Sequence, residues 1–261
     1  MQARAFSPTR PLPASSPRRP QDRFYWYAAH FLPAQPLVWI LPQNWNWQSS
    51  ATPAMDVWVY SNAASVELFL NGASLGAQNV TQYGHAEWDK VPTTPGSLHA
   101  VGSDAAGAVV AEAWVNTTGP AAGLRISVKD GAYVGGADGT MVARCNDAAL
   151  VQVEVIDAAG AVVPTASNNV TFALGGTAVP GVQLAGTSNG DPACLVNSKS
   201  PWRPAFHGLV MAVVIAGDSV GTATVTASSP GLATVSVQLP VVAATPAQAA
   251  AWWCKAAGPR A

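Results

Sequence analysis

The sequence predicts an all-β protein: two immunoglobulin-like β-sandwich domains in tandem. Three observations carry this. From Leu37 onward, apolar residues recur with a period of two, not the 3.6 of a helix. Turn signals rich in Gly, Pro, Asn and Asp separate the runs about every 8–12 residues, the spacing of a sandwich. After Pro42 the apolar pattern nowhere sustains a helix of about ten residues.

The elements follow in order. Residues 1–21 hold five prolines and four arginines with no acid. They lack the apolar run of a secretory signal, and so many prolines oppose a transit-peptide helix. The segment reads as disordered, or as the product of a misplaced start codon. Asp22–Phe31 is aromatic-rich and fits one amphipathic helix ended by Pro33. Strands are expected at Leu37–Leu41, Met55–Tyr60, Val66–Leu70, His85–Val91, Leu98–Ser103 and Ala108–Val115. Asn71-Gly72 directly follows one of them and is a strong hairpin signal, because both turn residues need positive φ. Residues 117–123 (TTGPAAG) read as a linker. A second set of strands is expected at Leu124–Lys129, Leu150–Asp157, Ala161–Val163, Val170–Leu174, Val182–Ala185, Leu209–Ala216, Thr222–Ala227 and Val235–Val242. The domains are therefore 36–118 and 119–243, with an Ala-rich, frayed tail at 244–261. The heptapeptide DAAGAVV occurs at 104–110 and again at 157–163. It reads as a hairpin turn with a left-handed Gly, used once in each sandwich.

Composition narrows the function. Only 10% of the 261 residues are charged, and the net charge is −1. An ordinary soluble domain carries about 25% charged residues. There is no basic field for nucleic acid, and no apolar run approaches the ~18–20 residues of a membrane span. Cys145, Cys194 and Cys254 lack CxxC spacing, and the four histidines form no HxH or HExxH pair. Neither a metal site nor a cofactor is expected. A bridge between Cys145 and Cys194 and a pair of free thiols are both open. The sequons at Asn79, Asn116 and Asn169 lean toward a secreted or extracytoplasmic chain.

Few residues are candidates for chemistry. Trp45 and Trp47 either stack on a sugar ring or plug a domain interface or core. Asn189-Gly190-Asp191-Pro192 is a strong turn. Asp191 and Arg203, with Asn189 and Phe206 nearby, read as a structural latch held by an Asp191–Arg203 pair rather than as a polar site. Glycoside hydrolysis needs two facing carboxyl groups. Glu67, Glu87, Glu112 and Glu154 all read as outward-facing strand residues, so the set of catalytic candidates is empty.

In order along the chain, Leu37–Pro42, Trp45-Asn46-Trp47, Asp56–Asn62, Val66–Gly72 and Ser74-Leu75-Gly76 resemble the region after the catalytic barrel in glycoside hydrolase family 2, in its β-galactosidase-like branch. Val153–Asp157 with Gly160, Val170–Phe172, Asn189–Pro192, Ala205–Gly208 and Thr222–Ala227 resemble that branch's C-terminal immunoglobulin-like domain. Residues 22–35 resemble the last helical stretch of the barrel. The chain departs from the family pattern at Trp39, where a His is usual. It departs again at Leu195-Val196-Asn197, where the family often has His-Glu-Pro. The resemblance implies a catalytic TIM barrel as partner, with both catalytic glutamates on it. No position here matches either of them. It implies non-catalytic sandwich domains that support the barrel or assembly of an enzyme hydrolysing O-glycosyl bonds. The rival readings are a free-standing carbohydrate-binding or adhesion module and a truncated gene product.

Overall fold

The computed structural model describes residues 22–46, 53–132, 139–178, 181–250 and 254. The stretch 1–21 and the second indole of the pair, Trp47, lie outside the described residues. The chain divides into two compact units between Thr118 and Gly119. Both are β-sandwiches.

The first unit begins with α1 (Asp22–Phe31), followed by β1 (Val38–Leu41), β2 (Ala54–Ser61), β3 (Ser65–Leu70), β4 (Ala73–Asn79), β5 (Ala86–Pro92), β6 (Ser97–Ser103) and β7 (Val109–Asn116). Strand order is β1-β2-β5 in one sheet and β4-β3-β6-β7 in the other. All pairings are antiparallel. Alternation places Val57, Val59, Val66, Leu68, Leu98 and Ala100 inward, where they form the core with Ile40, Trp45 and Trp88. Asn71 (φ 52°) and Gly72 (φ 81°) make the β3–β4 turn. The Asn71 carboxamide also accepts from the Ser97 N–H and donates to the Pro95 carbonyl, which ties the turn to β6. β4 was not foreseen: ASLGAQN has no apolar alternation and is held by pairing with β3.

The second unit contains β8 (Gly123–Ala132), β9 (Met141–Val142), β10 (Ala148–Ile156), β11 (Asn169–Gly176), β12 (Gln183–Ser188), β13 (Trp202–Pro204), β14 (Leu209–Ile215), β15 (Gly221–Ser229), β16 (Leu232–Val242) and α2 (Pro246–Ala249). The sheets are β12-β14-β10-β8 and β13-β11-β15-β16-β9. The β9–β16 pair is parallel. The core is rich in Val and Ala, with Val151, Val153, Val155, Val210 and Val214 of the first sheet facing Phe172, Val225 and Leu239 of the second.

The repeated heptapeptide forms the same turn twice. Asp104 Oδ1 accepts from the Ala106 and Ala108 N–H groups, and Asp157 Oδ1 accepts from those of Ala159 and Ala161. Gly107 (φ 85°) and Gly160 (φ 83°) take the left-handed position in each. The second copy gains more. Asp157 Oδ2 accepts from the Gly119 N–H at 2.9 Å, and Arg125 Nη1 donates to the Gly160 carbonyl at 2.8 Å. The Gly119 N–H, followed by that of Ala161, pulls the Asp157 carboxyl below the ordinary aspartate range; burial opposes this.

Three expectations need correction. Glu154 is not a solvated strand residue: it is 1% exposed. Alternation does point it off the core, but Arg125 on β8 covers it, with Nε 2.6 Å from Oε2 and Nη2 on the same oxygen, while Gln152 donates to Oε1. Cys145 is bonded to Cys254, not Cys194, which is a free thiol. Of the tail, Pro246–Ala249 is helical with Thr245 as N-cap, and Cys254 is anchored by its disulfide beside Val142 and Ala244, so these residues are not frayed.

Candidate functional site

The aromatic face of the first unit is built on α1. Tyr25 and Ala29, four apart, are buried against the β1-β2-β5 sheet. The Tyr25 ring stacks on Trp39, with centroids 3.4 Å apart and planes 8° apart. Trp39 in turn donates its indole N–H to Asp22 Oδ1 at 3.2 Å. His30 Nε2 lies 3.2 Å from the Gly84 carbonyl. Asn62 receives the chain after the helix: its side chain donates to the Gln35 carbonyl and accepts from the Leu37 N–H.

A second apolar stripe on the same helix remains open. Phe24, Tyr27 and Phe31 recur at i, i+3 and i+7 and are 40%, 56% and 63% exposed. Tyr27 and Phe31 pack on each other at 6.1 Å. Beside them, Arg23, Trp26, Tyr27 and Tyr60 line an open cleft of about 300 Å³. Burial raises the Tyr60 phenol above its ordinary range; the Asp22 charge adds to this and Arg23 opposes it. The aromatic surface continues along the outer sheet face through Trp58, whose ring packs on His85 at 4.6 Å and whose N–H donates to Glu87 Oε1 at 2.6 Å.

The residues singled out from sequence fall elsewhere. Trp45 has no exposed surface. Its N–H donates to the Thr94 carbonyl at 3.0 Å, and Thr117 Oγ1 donates to its own carbonyl at 2.6 Å. Next to it, Asn46 Oδ1 accepts from Thr118. The loop therefore closes one end of the sandwich, and Trp45 presents no ring to a sugar. In the second unit, Asp191 Oδ1 accepts from the Ala193 N–H, Asn189 Oδ1 accepts from Asp191, and Asn189 Nδ2 donates to the Pro204 carbonyl. The expected Asp191–Arg203 pair does not form. Arg203 is buried and donates instead to Thr187 Oγ1, Cys194 Sγ and the Val196 carbonyl. On β13, alternation buries Arg203 between the exposed Trp202 and the half-buried Pro204, where those three acceptors use its guanidinium. Phe206 is 36% exposed and packs on His207 at 4.2 Å.

The carboxylates do not assemble into a hydrolytic pair among the described residues. Glu154 is locked by Arg125. Glu67 and Glu112 share a register row with Val101 between them, two strand spacings or roughly 9.5 Å apart. They flank Val101 on the outer sheet face and do not oppose each other across a bond. Asp56, Glu87 and Asp89 come within 4.8 Å of one another and are all exposed. Within this exposed acidic cluster the Lys90 N–H donates to Asp56 Oδ1 and the Trp58 indole to Glu87 Oε1.

Residues 137–238 match the family model described as glycoside hydrolase family 2 C-terminal domain 5, and residues 53–111 match a domain of unknown function, DUF4982. Over 216 residues the chain is 34% identical to Beta-galactosidase BoGH2A of Bacteroides ovatus, covering 81% of this chain and 23% of that protein. It is 30% identical over 225 residues to a Beta-glucuronidase of Formosa agariphila, covering 85% and 21% respectively. A solved glycosyl hydrolase family 2 member from Bacteroides cellulosilyticus superposes with a TM-score of 0.70 at 26% identity, over 84% of this chain and 30% of that one. The chain thus spans less than a quarter of the length of these curated relatives.

Proposed function

Because this chain is the C-terminal region of a glycoside hydrolase family 2 enzyme, we propose that its sandwiches are non-catalytic and that the open face of α1 docks on the catalytic barrel of the parent enzyme. That enzyme hydrolyses O-glycosyl bonds in carbohydrates, and the sandwiches support its barrel. The observation that carries this is the doubled apolar character of α1: one aromatic stripe is buried on the sheet and a second is exposed. A contiguous apolar stripe left open on a helix already packed by its other face marks a surface for a partner.

The purified chain is expected to bind a dye for exposed apolar surface and to self-associate. The variant Phe24→Ser/Tyr27→Ser/Phe31→Ser should lose both properties while keeping the circular dichroism of the sandwiches. A monodisperse wild-type chain with no dye binding overturns the docking reading. Turnover of a nitrophenyl galactoside by the chain, abolished by changing one of its own glutamates, overturns the non-catalytic one.

A further inference from the structure

We propose that the outer face of the β4-β3-β6-β7 sheet is a binding platform for a neutral pyranose sugar chain, seated on Trp114. This inference is independent of barrel docking, since it uses the opposite sheet of the first unit. The platform is a stack of rings standing side by side across three strands. Register pairs Phe69 with His99 and His99 with Trp114. His99 lies on Trp114 with centroids 4.4 Å apart and planes 5° apart, and Phe69 follows at 5.7 Å and 28°. The stack ends at β7, the edge strand of the sheet. Trp114 is 55% exposed. With His99 against one face, that exposure lies on the other face and the ring edge.

Glu112, two residues before Trp114 on β7, supplies the polar half of the site. Glu67 and Glu112 flank Val101 in one register row, and Ser74 Oγ donates to Glu67. Glu112 Oε2 is 3.9 Å from His99 Nε2, which places the carboxylate beside the ring stack. A pyranose is amphipathic in the same sense. Its axial C–H groups pack on an aromatic face, and its equatorial hydroxyls donate to acceptors at the rim. A protein partner would instead leave these carboxylates desolvated against an apolar patch, at a cost.

Charge fixes the class of sugar. The four strands of this sheet carry two glutamates and no Lys or Arg. A uronate or sulfated glycan would meet repulsion from Glu112 and find no Lys or Arg on these strands to pair with. The ligand is therefore a neutral glycan.

The test uses the full chain and two probes, a neutral galacto-oligosaccharide and an oligogalacturonate, read by tryptophan fluorescence and by retardation in affinity gels. The neutral probe should bind saturably and the anionic probe should not. Trp114→Ala should weaken binding about tenfold or more, equivalent to about 1.4 kcal/mol. Glu112→Gln should weaken it less and Trp58→Ala, on the other sheet, should leave it unchanged. Unaltered circular dichroism of Trp114→Ala confirms that the fold is kept. The proposal is overturned if the neutral probe does not bind at millimolar concentration, if Trp114→Ala binds like wild type, or if the anionic probe binds equally well. It is also overturned if the only effect of Trp114→Ala is to abolish self-association, which would make this face a contact between copies of the chain.

Discussion

Trp45 and Arg203 are buried side chains whose roles depend on neighbours distant in sequence. Truncating Trp45 to Ala removes a filled indole site and one satisfied N–H. It should destabilise the first unit by about 3–5 kcal/mol, read as a lower urea midpoint at unchanged slope. Arg203→Ala strips hydrogen bonds from Thr187, Cys194 and Val196 and should cost about 2–4 kcal/mol in the second unit. Asp191→Ala loses one exposed turn bond and should cost about 1 kcal/mol or less. Costs that fail to add in the Asp191→Ala/Arg203→Ala double variant would restore a direct Asp191–Arg203 coupling. Asp157 gives a pH signature. Its folded carboxyl titrates below the unfolded one, so its contribution is complete above the unfolded value and is lost as pH falls through the folded one. Acid titration of wild type against Asp157→Asn should show a shallower loss of stability in the variant below about pH 4. None of these roles was legible in one dimension. Trp45 and Trp47 look alike in sequence, and only the closing loop decides which core Trp45 fills. Glu154 alternates like an outward residue, and the arginine that covers it sits on another strand.

At the scale of elements, periodicity read the strands well because sandwich strands expose one face and bury the other. Apolar alternation found β3, β6 and β14, and Asn71-Gly72 marked its hairpin. Where alternation fails, elements were missed: β4 and β13 are recruited by their neighbours, not by their own pattern. The expected strand at Ala161–Val163 reduces to a single bridge between Ile156 and Val162. Helix α1 was legible as amphipathic, but its two apolar faces were not separable, since Tyr25 and Tyr27 differ only in which way the helix is turned. Changing the open stripe should affect association without unfolding. Changing the buried stripe should do the reverse: Tyr25→Ala should lower the melting temperature of the first unit and leave dye binding at wild-type level or above.

For the whole molecule, two units with separate cores are expected to melt as two transitions. The Cys145–Cys254 bond spans a sequence separation of 109 and belongs wholly to the second unit. Its reduction should lower the second transition, by up to about 4–5 kcal/mol in the chain-entropy account, and leave the first where it was. Thiol titration of the unfolded chain should count one reactive group when oxidised, Cys194, and three when reduced. Three cysteines allow three pairings, and sequence spacing does not choose among them.

The twin turns at residues 104–110 and 157–163 make the chain its own matched control. The local sequence is identical, so intrinsic turn propensity cancels between the copies. Any difference in amide exchange between Gly107 and Gly160 then reads their surroundings: the Gly119 and Arg125 contacts at the second copy, and the entry into β7 that only the first copy makes. The comparison of one turn sequence in two contexts lies within a single polypeptide and needs no chimera.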